Sequence, residues 1–472
     1  MTAPAVKVPT RRNTELVMLL FAVALVVIAE GIVEATRYGE ISTRIVSYGA
    51  VPLVLGLAAH LVIRRFAPYA DPLLLPLVVF LNGLGLVMIH RIDLGLRVQA
   101  QEAGQEFSGG SAGAQVVWTA IGLVVLLTVL LVVRDHRVLQ RYAYTLALVG
   151  LFFLILPIVL PARFSEVNGA RIWIRVAGFS IQPGESARLL LAIFASAYLV
   201  SKRDVLSLAG RRFLGLDLPR GRDFGPLLVA WLLAIAVLVR GRDLGTSLMF
   251  FGLFLVLLYV ATSRVSWVVI GLLLFMGGAY AAYRLFSNVQ LRVDVWLDPF
   301  KDQTDSGYQL AQSLYGLGTG GLFGAGLGGG HPEIVPLSQT DFIITSFGEE
   351  TGLVGLAALL MVYALVIARG LSIGTASRDS FGKLLAVGLS FSMGLQVFIV
   401  VAGVSRLLPE TGLTAPFLSY GGSSLVANYA ILALLLRISD AARRPGGPPP
   451  PPPPPVASGG SDDTASQPAV SA

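Results

Sequence analysis

No cysteine occurs anywhere in the chain, and histidine occurs only four times. The first absence excludes structural disulfides, iron–sulfur clusters and thiolate metal sites, and the second leaves little material for a zinc centre. Charge is also scarce, with Asp, Glu, Lys and Arg at 13% of residues against 55% hydrophobic ones. A soluble chain of 472 residues needs far more charge to cover its surface, and the mean hydropathy of +0.74 excludes that class. No repeat of fixed period is visible, and no matching pair of broken helices supports a transporter built from inverted repeats. What remains is an all-α polytopic membrane protein.

Apolar runs long enough to cross a hydrocarbon core of about 30 Å lie near 15–34, 48–64, 73–90, 115–133, 142–161, 185–201, 224–239, 245–262, 265–284, 342–368, 381–403 and 422–437. They predict a bundle of about twelve helices with one long loop at 285–341. The first run lacks a small-residue cleavage site, so it reads as an anchor that stays.

Basic residues set the expected orientation. With residues 1–14 in the cytoplasm, the inner loops hold roughly 21 Lys and Arg against roughly 13 in longer outer loops. Both termini are then cytoplasmic. After Ser439 the composition changes to prolines 448–455 and a Ser, Gly, Ala and Asp tail, which reads as a solvated polyproline segment spanning 439–472.

The least membrane-like stretch is 296–350, polar, acidic and rich in glycine. A structureless insertion this long is usually functional or disordered. Its glycines match G-x-G-x-x-G twice, at Gly316/Gly318/Gly321 and Gly324/Gly326/Gly329, but without the strand and helix of a βαβ unit the match does not signify a nucleotide site. Tight turns and close backbone approach are the expected use. Asp341, just ahead of an apolar run, has two readings. It is a helix N-cap, or a carboxylate at the membrane boundary whose burial suits it to general-base work. Glu349 and Glu350 fall deep enough in the next helix to require partners. Glu185 and Arg188 are spaced for an intrahelical bridge, Asp243 follows Arg240 and Arg242 and is expected to ion-pair, and Glu30, Glu34, His60 and His90 are isolated. The expected topology brings 168–173, Glu185, 240–243, 296–341 and 408–424 to one face. The arginines there, with Lys301, suit an anionic lipid phosphate or pyrophosphate, and nothing points to nucleic acid.

Several motifs carry a resemblance. They are Asn168-Gly169-Ala170-Arg171-Ile172-Trp173-Ile174, Gln182-Pro183-Gly184-Glu185, Asp243-Leu244-Gly245-Thr246, the stretch 296–309, Thr340-Asp341-Phe342, and Pro416-Phe417-Leu418-Ser419-Tyr420-Gly421-Gly422-Ser423-Ser424. In this order, over about residues 75–438, the chain resembles the SEDS family of peptidoglycan glycosyltransferases. The resemblance implies a core of ten helices, at 73–438, preceded by an additional pair at 15–72. It implies polymerisation of lipid II into β-1,4 glycan strands at the outer face of the cytoplasmic membrane, with a class B penicillin-binding protein as partner; the chemistry of a pyrophosphate leaving group adds basic residues or a divalent cation, Mg or Mn, as the expected counter-charge, and no other cofactor. Asp341 takes the catalytic position. Arg171, Trp173, Glu185, Arg188, Arg240, Asp243, Tyr308, Gln309, Gln312, Ser419 and Ser423 take substrate-binding ones, and no metal-ligand set is assigned.

Elongation-type members fit better than division-type ones, and a lipid II flippase is the alternative from another class. Three departures stand out. Arg188 replaces the family's usual lysine. The Glu and His that often precede the catalytic Asp are absent from Pro336-Leu337-Ser338-Gln339-Thr340-Asp341. Glu410 adds a carboxylate where many members are apolar.

Overall fold

The computed structural model describes residues 9–445 except 41–44, 108, 168–169, 177–178, 208–210, 214–215, 219–224 and 241–242. The proline-rich tail, Asn168 and Arg242 therefore lie outside the described residues, and so does the side chain of Arg240.

Each of the twelve apolar runs forms a helix. In chain order the helices are α1 (Arg12–Tyr38), α2 (Ile45–Phe66), α3 (Leu74–Glu102), α4 (Ser111–Val132), the single-turn α5 (Val138–Arg141), α6 (Ala143–Val159), the single-turn α7 (Ala162–Ser165), α8 (Pro183–Ser207), α9 (Gly225–Arg240), α10 (Leu244–Thr262), α11 (Val265–Leu285), α12 (Ser287–Leu297), α13 (Tyr308–Gly320), α14 (Ile343–Ala376), α15 (Ser380–Val404) and α16 (Gly422–Arg443). Ten of the described helices are long and apolar enough to cross a membrane, which makes the chain a multi-pass membrane protein. α6 and α9, at 17 and 16 residues, fall short of the ~20 residues a perpendicular span needs. Helices suit these sequences because lipid offers no partner to an open backbone N–H or C=O, and a helix satisfies its own.

Burial sorts the helices into layers. The apolar windows of α3 and α16 are 83% buried and that of α11 only 6%, so α3 and α16 form the centre and α11 faces outward. The 285–341 segment is not loop throughout, since it contains α12 and α13. Two small antiparallel hairpins precede α8: β1 (Glu166–Val167) with β2 (Ala170–Arg171), and β3 (Ile174–Val176) with β4 (Phe179–Ile181). A third, β5 (Arg211–Phe213) with β6 (Leu216–Leu218), follows α8.

The histidines that look isolated along the chain are paired across it. His60 Nδ1 lies 2.7 Å from Glu15 Oε1 between α1 and α2, and His90 Nδ1 lies 2.7 Å from Glu30 Oε1 between α1 and α3. An ionisable group within an apolar bundle needs such a partner, and only the folded chain shows which one. At the bundle end where α2 finishes, Asp71 receives Arg369 (3.0 Å) and Arg443 (2.6 Å), and Asp440 accepts the Tyr69 N–H at 2.9 Å.

Candidate active site

At the end opposite Asp71, the strap between α13 and α14 meets the turn between α15 and α16. Asp341 sits on the strap, outside the helix that follows. The N-cap of α14 is Phe342, which makes no side-chain cap, so the capping reading of Asp341 fails. The carboxylate instead faces Gly412. A Cβ placed on that glycine would lie 3.7 Å from Asp341 Oδ2 and 3.8 Å from Glu410 Oε1, so two carboxylates converge there. Glu410 also accepts the Gly412 N–H. Arg292 of α12 donates to the Glu410 carbonyl at 2.7 Å and lies 3.6 Å from its carboxylate. Burial, reinforced by the negative charge of Glu410, pushes the Asp341 pKa up to about 7, against the opposing pull of Arg292 and the Thr340 hydroxyl. The missing histidine is thus not needed to give Asp341 a base's proton affinity near neutrality.

The segment ahead of α16 supports the strap. Ser419 Oγ donates to the Thr340 carbonyl at 2.6 Å, and the Tyr420 N–H donates to the Gln339 carbonyl at 2.8 Å. The turn itself rests on buried polar side chains from three helices. Asn82 donates to the Phe417 carbonyl, Gln115 to the Ser419 carbonyl and Tyr363 to the Pro416 carbonyl, at 3.2, 3.0 and 2.7 Å. Phe417 has φ 64, a conformation that costs a non-glycine residue about 1–3 kcal/mol unless its surroundings hold it. Gly85 allows this packing, since a Cβ there would fall 2.3 Å from the Leu418 carbonyl oxygen.

A second polar cluster begins at the start of α8. Arg188 lies 3.1 Å from Glu185, one turn away, and donates to Gln396 Oε1 of α15 at 2.7 Å. Gln396 in turn donates to the Thr414 carbonyl at 2.9 Å, which links this cluster to the turn beside Asp341. Asp243 is the N-cap of α10. Its carboxylate accepts the Thr246 N–H at 2.8 Å and the Gln182 side-chain amide at 3.1 Å, and burial raises its pKa. Capping is thus its role among the described residues, while the arginine side chains expected to pair with it, Arg240 and Arg242, lie outside them. The Gln182 N–H donates to Ser423 Oγ at 2.7 Å, closing the cluster onto α16.

The other expected residues are less central. Gln309 of α13 donates to the Pro336 carbonyl at 2.9 Å, holding the strap from its other side, while Tyr308 and Gln312 flank it half-buried. Arg171 is exposed on the β1–β2 hairpin and pairs with Glu166 at 3.1 Å, and Trp173 is half-buried beside it.

The glycine-rich stretch packs as backbone against backbone. A Cβ on Gly324 would lie 2.2 Å from the Glu350 carbonyl oxygen, and Gly352 breaks α14 at φ 66. Glu350 and Glu349 have the partners their depth requires. Arg91 Nε lies 2.7 Å from Glu350, Gly328 N–H donates to Glu350 at 2.9 Å, and His331 N–H donates to Glu349 at 2.6 Å.

Sequence reasoning missed Gln396, Asn82, Gln115 and Arg91. The signal was present, because an amide or guanidinium inside an apolar run is expensive and is retained for a contact.

Fold and site together define a multi-pass helical membrane protein with a carboxylate site at one end, buttressed by buried amides. A sequence model of the cell cycle protein family that groups FtsW, RodA and SpoVE matches residues 72–444. The chain belongs to this family. It is 55% identical to the peptidoglycan glycosyltransferase RodA of Mycobacterium tuberculosis over 436 residues, covering 92% of each chain. Identity falls to 33% over 383 residues with the probable peptidoglycan glycosyltransferase FtsW of a Geobacter species, covering 80% of this chain and 99% of that one. Among solved structures, a chain from work on the coordination of polymerization and crosslinking by a peptidoglycan synthase complex superposes with a TM-score of 0.58 at 27% identity. The match covers 77% of this chain and 96% of that one.

Proposed function

We propose that the chain is a peptidoglycan glycosyltransferase of the elongation type, and that Asp341 is its general base. The observation that carries the mechanism is the convergence of Asp341 and Glu410 at Gly412, which surrounds a half-buried carboxylate whose pKa is pushed up to about 7. The higher identity to the RodA relative than to the FtsW relative supports the elongation type.

In this reading the substrate is lipid II. Asp341 takes the proton from the 4-hydroxyl of the acceptor GlcNAc as that oxygen attacks the anomeric carbon of the donor MurNAc. The C–O bond to undecaprenyl pyrophosphate breaks, and the pyrophosphate departs with the electron pair. An α linkage becomes β in one displacement, so a base suffices and no glycosyl-enzyme is needed. Asp341 then returns its proton to water. Arg292, half-buried beside Glu410, and Arg188, buried against Glu185 and Gln396, are cations on the elements that build the site, and donors of this kind offset charge that develops on a leaving pyrophosphate.

The residues present do not fit a resident divalent-cation site. No group of three or more His, Asp or Glu is arranged to hold a metal among the described residues, and Glu410 is already engaged by Arg292. A cation that accompanies pyrophosphate is bound largely by phosphate oxygens and water, and no step above runs through one. The positive-inside pattern supports an Asp341 end on the outer face of the cytoplasmic membrane, where a class B penicillin-binding protein would crosslink the product.

The full chain, purified with a transpeptidase partner that lacks glycosyl transfer of its own and given lipid II, is expected to produce long glycan. A preparation that moves lipid II across vesicles and never polymerises it would instead favour a flippase.

A further inference from the structure

The family match begins at residue 72, which leaves α1 and α2 outside it. The 436-residue match to the mycobacterial relative reaches beyond 72–444, whereas the solved synthase chain is covered almost fully by 77% of this one. α1 thus lies outside the part of the chain that the family model matches. It does not lie idle on the bundle surface.

The last turns of α1 meet the glycine loop that leads to Asp341. A Cβ on Gly328, which has φ +84, would lie 3.0 Å from Thr36 Cβ and 3.2 Å from the Val33 carbonyl oxygen. Arg37 donates to the Gly330 carbonyl at 3.2 Å and lies 3.8 Å from Glu333. Arg91 of α3 donates to the same carbonyl, lies 3.2 Å from Glu333, and must also neutralise Glu350. Two arginines therefore serve Glu333 and Glu350. Without Arg37, a single guanidinium would face both carboxylates. Val26, Ala29 and Val33 of α1 form a separate apolar cluster with Val87 and Leu94 of α3, and Leu327 of the glycine loop packs against it.

Between Gly330 and Asp341 the chain contains only a single 3-10 turn, Pro332–Ile334. Its far end is fixed by Ser419, Tyr420 and Gln309. Its near end is fixed by Arg37 and Arg91.

We propose that α1 is a positioning strap for the segment that carries Asp341, with Thr36 and Arg37 holding the glycine loop at Gly328 and Gly330. Arg37 touches no reacting atom and acts through the loop. The proposal rests on the glycosyltransferase reading for its kinetic consequence but not for its structural one.

The test uses the full chain with its transpeptidase partner and lipid II. Arg37→Gln is expected to lower kcat about tenfold with KM within about twofold, since a displacement of about 1 Å at a remote support is enough to misalign a base. Arg37→Lys should restore most of the rate, because a point cation can still meet one carbonyl and one carboxylate. Arg64→Gln, at the opposite end of α2, should leave the rate unchanged. An activity-independent arm exploits the absence of cysteine: Ser338→Cys, 1% exposed in the parent, should react with a thiol reagent at least about fivefold faster when combined with Arg37→Gln, as local opening predicts.

Wild-type kcat and unaltered labelling in Arg37→Gln would overturn the proposal. So would a rise in KM at constant kcat, which would make Arg37 a substrate contact, or a loss explained wholly by less folded protein. If the parent chain makes no polymer, the glycosyltransferase reading fails, while the labelling arm still decides the strap.

Discussion

Asp341→Asn is expected to lower the rate of lipid II polymerisation by about 100- to 10,000-fold, the range over which a positioned general base contributes. The substitution keeps the side chain's shape and removes only its capacity to take a proton. It also removes a carboxylate that burial and Glu410 disfavour in its charged form, so the variant should fold at least as well as the parent. Loss of polymer with an unchanged melting transition therefore reports chemistry rather than unfolding. Glycan length on a gel and a thermal melt of the same preparation separate the two.

The largest expected effect on stability comes from Arg91→Met. Arg91 is fully buried and is shared between Glu333 and Glu350. Its removal strands a fully buried Glu350 and leaves Glu333 to Arg37 and the His331 ring. Breaking a buried pair from one side costs about 3–5 kcal/mol, because the remaining charge is uncompensated. Arg91→Met should accordingly lower the denaturation midpoint in detergent by a large margin. Arg91→Met combined with Glu350→Gln should recover part of that loss, since removing both partners leaves less charge buried. If the double variant proves no more stable than Arg91→Met alone, Arg91 supports the fold through its contact with the Gly330 carbonyl instead.

The twelve helices were legible because their apolar runs are long and each is bounded by charge or glycine. The Glu185–Arg188 bridge was legible because its spacing is local. The conformational use expected of the glycines holds at Gly324 and Gly352, which make close backbone contacts. What the sequence withheld was long-range pairing. Nothing in the spacing of Glu15 and His60, of Glu30 and His90, or of Arg91 and Glu350 marks them as partners, because helix packing decides the pairing. Glu410 was visible as a departure from the family pattern, but its convergence with Asp341 at Gly412 depends on how the turn before α16 folds against the strap. The same holds for Asp243, whose capping role follows from α10 starting at the next residue.

The pH–rate profile of polymerisation tests the general-base assignment most directly. Asp341 works deprotonated, and its pKa is raised to about 7. The rate should therefore fall about tenfold per unit as pH drops below that value and level off above it. Glu410→Gln removes the like charge and should move the levelling point to lower pH, while Arg292→Gln removes the opposing cation and should move it higher. A parent profile that stays flat from about pH 5 to about pH 8.5, or a Glu410→Gln limb displaced upward, would contradict the assignment of Asp341 as a base tuned by burial and by Glu410.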